Sequence, residues 1–172
     1  IAMVGGGSSV LRPGEASLAH SGVLFLDEVG EFMPSVLDAL RQPLEEGEVR
    51  IARASAGITL PARFLLVGAT NPCPCGGGAP GACVCNETAR SKYLRRLSGP
   101  FLDRFDLRVA VAMTGVEELL DVREGEPSAA VQERVARVRE MSLHRSGGVN
   151  ARLSAQELDT HAPLSPAARD VL

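Results

Sequence analysis

The sequence predicts an α/β layer, a parallel sheet with flanking helices, that gives way to an all-helical segment. Three observations carry this. Two short apolar runs, Val23-Leu24-Phe25-Leu26 and Phe64-Leu65-Leu66-Val67-Gly68-Ala69, are unbroken, flanked by turn signals and closed by polar residues. That is the pattern of strands buried on both faces of a parallel sheet. Between and after them apolar residues recur at helical spacing, and beyond about residue 112 only the helical spacing remains.

Taken in order, Gly5 to Ser9 are glycine-rich and Arg12-Pro13-Gly14-Glu15 signals a turn. Gly22 releases the first apolar run, which ends in Asp27-Glu28. Pro34 suits the first position of a helix, with Val36, Leu37, Leu40 and Leu44 on one face. Pro43 predicts a kink or an early end to that helix, and Gly47 closes it. Glu48 to Arg53 and Gly57 to Pro61 read as the arms of a hairpin. The second apolar run ends in Thr70-Asn71. A basic helix is expected from Thr88 to Leu97, a short helix from Ser98 to Phe105, and a third strand from Leu107 to Val111. Glu124-Gly125-Glu126-Pro127-Ser128 resembles a linker ending in a helix cap, and Val131, Val135, Val138 and Met141 form one stripe of a further helix. The expected division is therefore an α/β part, 1–112, and a linker with the beginning of a helical domain, 113–172. A start at Ile1 without Met, and Ser165-Pro166 opening a new helix just before Leu172, suggest a piece of a longer protein.

With 172 residues, 45% of them hydrophobic, the chain has material for one core and a smaller appendage. Aromatics make up 3% and Trp is absent, so aliphatic side chains must fill that core. The net charge of −3 gives no global field toward nucleic acid or an anionic membrane, so any such contact must be local. No apolar run approaches the roughly 20 residues of a membrane span, and no basic-then-apolar signal segment is present. A cytoplasmic protein without membrane partners is the expectation.

Three positions invite a chemical reading. Open α/β sheets bind ligands at the carboxyl ends of their strands, and Asp27-Glu28 stand at such an end. There one carboxylate can hold magnesium through water while the other orients an attacking water; alternatively, the pair merely solvates a loop. Asn71 closes the second strand, and its amide, both donor and acceptor, suits the positioning of a water; Asn71-Pro72 is also an ordinary turn dipeptide. Arg104, within Phe101-Leu102-Asp103-Arg104-Phe105-Asp106, either projects toward a neighbouring subunit's phosphate or pairs with Asp103 or Asp106.

The order of these pieces adds to each of them. Gly22-Val-Leu-Phe-Leu-Asp-Glu28, Leu40-Arg-Gln-Pro-Leu-Glu45, Val67-Gly-Ala-Thr-Asn-Pro-Cys-Pro-Cys-Gly76 and Leu97-Ser-Gly-Pro-Phe-Leu-Asp-Arg-Phe-Asp106 together resemble the second half of the magnesium-chelatase-like AAA+ ATPases. The resemblance covers almost the whole chain and weakens after about Val111. The cysteine-bearing element distinguishes a DNA-processing branch of that family from the chelatase motor itself. The resemblance implies a partial P-loop core with ATP and Mg2+ as cofactors. Asp27 and Glu28 become the Walker B pair, Asn71 the sensor-1 residue and Arg104 an arginine finger acting in a ring, expected to be a hexamer. It further implies pore-facing insertions at Gly5 to Ser21 and Glu48 to Pro61, with Arg53 near a hairpin tip as a contact for DNA phosphates, and work on recombination intermediates during natural transformation. No Gly-x-x-x-x-Gly-Lys-Ser/Thr loop occurs in the chain. Walker A is expected upstream and the sensor-2 arginine downstream, and the isolated chain is expected to bind Mg-ATP feebly.

All four cysteines, Cys73, Cys75, Cys83 and Cys85, fall within thirteen residues. Such clustering favours a metal over a disulfide framework. Four thiolates can close a tetrahedral Zn2+ site, although paired zinc cysteines usually have two or more residues between them and these pairs have one; the other reading is reduced thiols in a loop. Arg90, Lys92, Arg95 and Arg96 form a local basic patch that suits DNA phosphates or simply a solvated face. Tyr93 is read as helix packing, and His20 as a packing or turn residue. The rival readings are a metal-chelatase motor acting on a partner enzyme, a σ54-type activator, which lacks support because no Gly-Ala-Phe-Thr-Gly-Ala loop is present, and a non-catalytic zinc-stapled interaction module.

Overall fold

A computed structural model describes the chain except at residues 1, 8–9, 53–56, 78–82, 98, 112–124 and 171–172. The chain divides into two compact units, Ile1–Ala110 and Val111–Leu172. In the first, β1 (Gly5–Gly6) pairs antiparallel with β2 (Arg12–Pro13), and α1 (Glu15–Leu18) leads into β3 (Val23–Leu26). A 3-10 turn at Val29–Glu31, α2 (Pro34–Asp38) and α3 (Arg41–Glu46) follow. The hairpin of β4 (Glu48–Ala52) and β5 (Gly57–Pro61) comes next, and β6 (Leu65–Gly68) returns parallel to β3. α4 (Glu87–Leu94) and α5 (Gly99–Leu102) complete the unit. The fold class is the expected one, mixed α/β with a parallel pair and flanking helices.

Local chemistry explains the breaks. Pro34 stands at the start of α2, where its missing N–H costs nothing. Pro43 does not kink a single helix. It sits inside α3, and the chain breaks one turn earlier, at Ala39-Leu40. Ala39 contributes the carbonyl that a residue at 43 would bond, and proline has no N–H to give it. Gly47 ends α3 at φ +71, in the left-handed region glycine favours, and a Cβ there would meet the Arg63 side chain at 2.7 Å.

The core gathers Ala16, Leu24, Leu26, Leu37, Leu40, Val49 and Phe101. Phe101, 0% exposed, docks α5 and meets Phe105 edge to face with ring centroids 5.3 Å apart. Truncating it removes a large side chain with little prospect of local collapse. Phe101→Ala is expected to lower the unfolding free energy by about 3 kcal/mol or more; a urea titration finding less than about 1 kcal/mol would reject Phe101 as the anchor of this segment.

Two expectations need correction. The strands are covered on one face only: Leu24 and Leu26 are buried, but Val23, Phe25 and Leu65 are each more than half exposed. A parallel strand is buried on both faces only where helices cover both, and the described residues supply one layer. The third strand is also absent, since Leu107 to Val111 carry no regular structure and Leu107, Val109 and Val111 are exposed. β propensity needs a partner edge to become a strand, and none among the described residues reaches this segment. The hairpin forms as expected, in the register Glu48↔Pro61 to Ala52↔Gly57; its tip, with Arg53, lies outside the described residues.

In the second unit the helix Ser128–Ser146 begins at Ser128 itself, so Pro127 rather than Ser128 occupies the cap position. Its Val135, Val138 and Met141 are exposed. Ala155–His161 opens with a reciprocal cap between Ser154 and Glu157, and Ser165 caps Pro166–Arg169 with Pro166 at the first position, as the sequence suggested.

Candidate functional site

The parallel pair delivers two polar strand ends to one edge. Leu26 is in register with Gly68, the Ala69 N–H donates to the Leu26 carbonyl at 2.9 Å, and the Val29 N–H donates to the Ala69 carbonyl at 2.9 Å. Asp27-Glu28 and Thr70-Asn71 therefore leave the sheet side by side, and Asp27, Glu28 and Asn71 are all exposed. Asp27 Oδ1 accepts from the Glu28 N–H at 2.9 Å. Glu28 itself lies at φ +50, ψ +46. A non-glycine residue in that left-handed region costs of order 1–3 kcal/mol unless its surroundings hold it.

The surroundings do hold it. Gly30, two residues on, donates its N–H to Thr70 Oγ1 at 3.2 Å, and the same oxygen lies 3.2 Å from the Tyr93 hydroxyl. The Tyr93 ring packs so closely on Gly30 that a Cβ there would fall 2.2 Å from it. Arg96 donates to the Gly30 carbonyl at 2.9 Å and pairs with Glu31 at 2.8 Å. Thr70, Tyr93 and Arg96 thus clamp the turn after β3 to the end of β6. Tyr93 is a packing residue, as expected, but the role of its hydroxyl was not legible, because no local pattern links positions 30, 70 and 93.

Arg104 pairs with neither Asp103 nor Asp106. It forms an ion pair with Glu45 of α3, while Asp103 pairs with Arg108 at 3.5 Å. The Arg104 side chain remains 37% exposed. Glu45 was visible in the sequence only as part of Leu40-Arg-Gln-Pro-Leu-Glu45; the contact is long-range. Of the basic patch, Lys92 and Arg95 are exposed and Arg90 is half-buried, whereas Arg96 is engaged within its own unit. His20 makes a long-range contact rather than a local turn contact, its Nδ1 accepting from the Arg63 N–H at 3.1 Å.

The four cysteine sulfurs converge, all lying within 4.8 Å of one another, a set that could hold a metal ion. None is in a disulfide. The Gly77 and Val84 N–H groups aim at the Cys75 sulfur and draw its pKa down to about 6. Cys85, donating its proton to Cys75 and partly desolvated, is pushed up to about 12. The oxygen donors of Asp27 and Glu28 suit a hard cation such as magnesium, while a lysine-bearing phosphate loop is not among the 172 residues.

Residues 1–119 match the family described as "Magnesium chelatase, subunit ChlI", and residues 125–172 match "Magnesium chelatase, subunit ChlI C-terminal". The chain belongs to the magnesium chelatase ChlI family. It is therefore a magnesium-chelatase-like AAA+ chain, and relatives within the family share it unevenly. Competence protein ComM of Haemophilus influenzae is 49% identical over 165 residues, covering 95% of this chain and 32% of that protein. Protein YifB of Escherichia coli is 49% identical over 160 residues, 91% of this chain and 31% of that protein. The magnesium-chelatase 38 kDa subunit of Cereibacter sphaeroides is 36% identical over 66 residues, 38% of this chain and 20% of that protein. The ChlI-family chain thus spans about a third of the length of the curated relatives that match most of it. Among its described residues no helix is long and apolar enough to cross a membrane.

Proposed function

We propose that the full-length protein is a magnesium-dependent ATPase that assembles as a hexameric ring and uses ATP hydrolysis, to ADP and phosphate, to remodel DNA. The observation that carries the hydrolysis reading is the shared edge, where Asp27-Glu28 directly follow β3 and Asn71 stands three residues beyond Gly68, the register partner of Leu26. Mg-ATP, when bound, supplies the phosphoryl group and a metal charge that offsets the charge of transfer. Asp27 would hold the hydrated magnesium ion, Glu28 would orient the attacking water, and the Asn71 amide, both donor and acceptor, would help position that water. Arg104 completes the site of the adjacent subunit. The half-exposed apolar face of β3 and β6 fits a strand pair that belongs to a wider sheet layer.

The DNA part rests on the 49% identity to Competence protein ComM across 95% of this chain. Arg53, next in sequence after β4 of the hairpin, and the exposed Lys92 and Arg95, with Arg90, are the proposed phosphate contacts. The work proposed is branch migration of recombination intermediates during natural transformation, in the cytoplasm. The test is the ATPase rate of the full-length protein with and without branched and single-stranded DNA, across a salt series. Stimulation of several-fold that fades with salt is expected. A rate indifferent to DNA would favour a chelatase-type motor acting on a protein partner, and no hydrolysis at all would leave the non-catalytic module.

A further inference from the structure

The turn behind Asn71 poses a physical question. Asn71-Pro72 leads into Cys73-Pro74-Cys75-Gly76, closed by the Gly76 N–H donating to the Cys73 carbonyl at 3.0 Å. Proline in the second place of such a turn and glycine in the fourth are the favoured choices, and Gly76 lies at φ +74. This turn brings the Cys73 and Cys75 sulfurs to 3.4 Å. No local rule brings the second pair to the same point. Yet the Cys83 sulfur lies 3.6 Å from that of Cys73 and 3.8 Å from that of Cys75. A disulfide would need about 2.05 Å. A regular tetrahedron of sulfurs around zinc, with Zn–S of about 2.3 Å, has edges of about 3.8 Å. The three separations fall close to that edge. In addition, the Gly77 and Val84 N–H groups point at the Cys75 sulfur, the kind of outer contact that orients a thiolate ligand.

We propose that Cys73, Cys75, Cys83 and Cys85 bind one zinc ion in a closed four-sulfur site, and that this site fixes the turn that carries Asn71. The residues joining the pairs, Gly76-Gly-Gly-Ala-Pro-Gly81, offer almost no apolar surface to bury, so metal ligation is the available staple between the two cysteine pairs. Four protein ligands leave no open position, which makes the site structural rather than catalytic. Its reach toward Asn71 is short: a Cβ added at Gly76 would lie 4.0 Å from the Asn71 side chain. On the other side, Cys85 is followed at once by Asn86, whose Oδ1 accepts from the Ala89 N–H at 2.8 Å and caps α4. Zinc would therefore join the end of β6 to the start of α4; Tyr93 of that helix and Arg96 just after it already hold the turn after Glu28. The assignment concerns the metal and the position of Asn71, so it stands or falls separately from the hydrolysis reading.

The test uses the 172-residue chain purified under reducing conditions without added metal. Elemental analysis is expected to find about one zinc per chain, and X-ray absorption four sulfur neighbours at about 2.3 Å. Cobalt exchanged into the site should show the intense visible bands of tetrahedral thiolate coordination. Nuclear magnetic resonance of the Asn71 side-chain amide should shift or broaden when a chelator strips the metal, while the Asn150 amide in the second unit stays put. Cys83→Ser combined with Cys85→Ser should abolish binding. If that variant fails to fold, the chelated wild-type chain provides the same comparison. Four reactive thiols without metal, iron in place of zinc, or fewer than four sulfurs around the ion would overturn the site. An Asn71 amide indifferent to metal removal would overturn the link to the turn.

Discussion

Replacing Glu28 by Gln is expected to leave ATP binding by the full-length protein in place and to slow steady-state hydrolysis at least about thirtyfold, equivalent to about 2 kcal/mol of barrier. The substitution keeps the length and shape of the side chain and makes the same demand on the left-handed backbone at φ +50, so the fold should not change. What it removes is negative charge. A carboxylate accepts a hydrogen bond from water and stabilises the proton that leaves it; an amide oxygen does so far more weakly. Asp27, the proposed magnesium holder, is untouched, so nucleotide affinity should survive. The informative pair of measurements is ATP affinity at equilibrium and turnover at saturation, with a thermal melt to show that the turn is intact. Turnover within about twofold of wild type would remove Glu28 from the hydrolysis site. Equal losses of binding and turnover would point instead to a structural role for the strand end.

Arg104→Ala is expected to bind ATP nearly as wild type and to hydrolyse it about a thousandfold more slowly, the lower end of what an arginine supplied across an interface contributes. The ion pair with Glu45 makes a second test necessary. If Arg104 only braces its own unit through α3, Glu45→Gln should cost as much as Arg104→Ala does. If Arg104 serves the neighbouring subunit, Glu45 only holds the guanidinium in place, and Glu45→Gln should be mild. Mixing separates the two readings fully. A Glu28→Gln chain still offers a good Arg104, and an Arg104→Ala chain still offers a good Glu28. In a head-to-tail ring mixed one to one, about a quarter of the interfaces join both good halves. Hydrolysis should then recover to a sizeable fraction of that share. A rate that stays at the mutants' own low level at every ratio, with mixed rings verified, would refute the role in trans.

Much of this protein can be read from its sequence because the informative signals are local. An apolar run closed by Asp27-Glu28, another closed by Asn71, a hairpin between them and four cysteines in thirteen residues each declare themselves within a short window. The mixed α/β class, the parallel pair, the two hairpin arms and the helices at Pro34 and Pro166 follow from such windows, since capping, proline geometry and apolar periodicity act over a few residues. Tertiary structure decided everything that depends on a distant partner. Leu107 to Val111 have strand propensity and no strand, because a strand is a pairing and no described strand pairs with them. Val23 and Phe25 look like core residues and are exposed, because burial depends on what covers the second face. Arg104 found Glu45 rather than the nearer acids Asp103 and Asp106, because the packing of Phe101 sets where α5 lies against α3. The left-handed turn at Glu28 belongs to the same class. No residue near it predicts positive φ; the clamp of Thr70, Tyr93 and Arg96, brought from β6 and from α4 and the residues after it, holds it there.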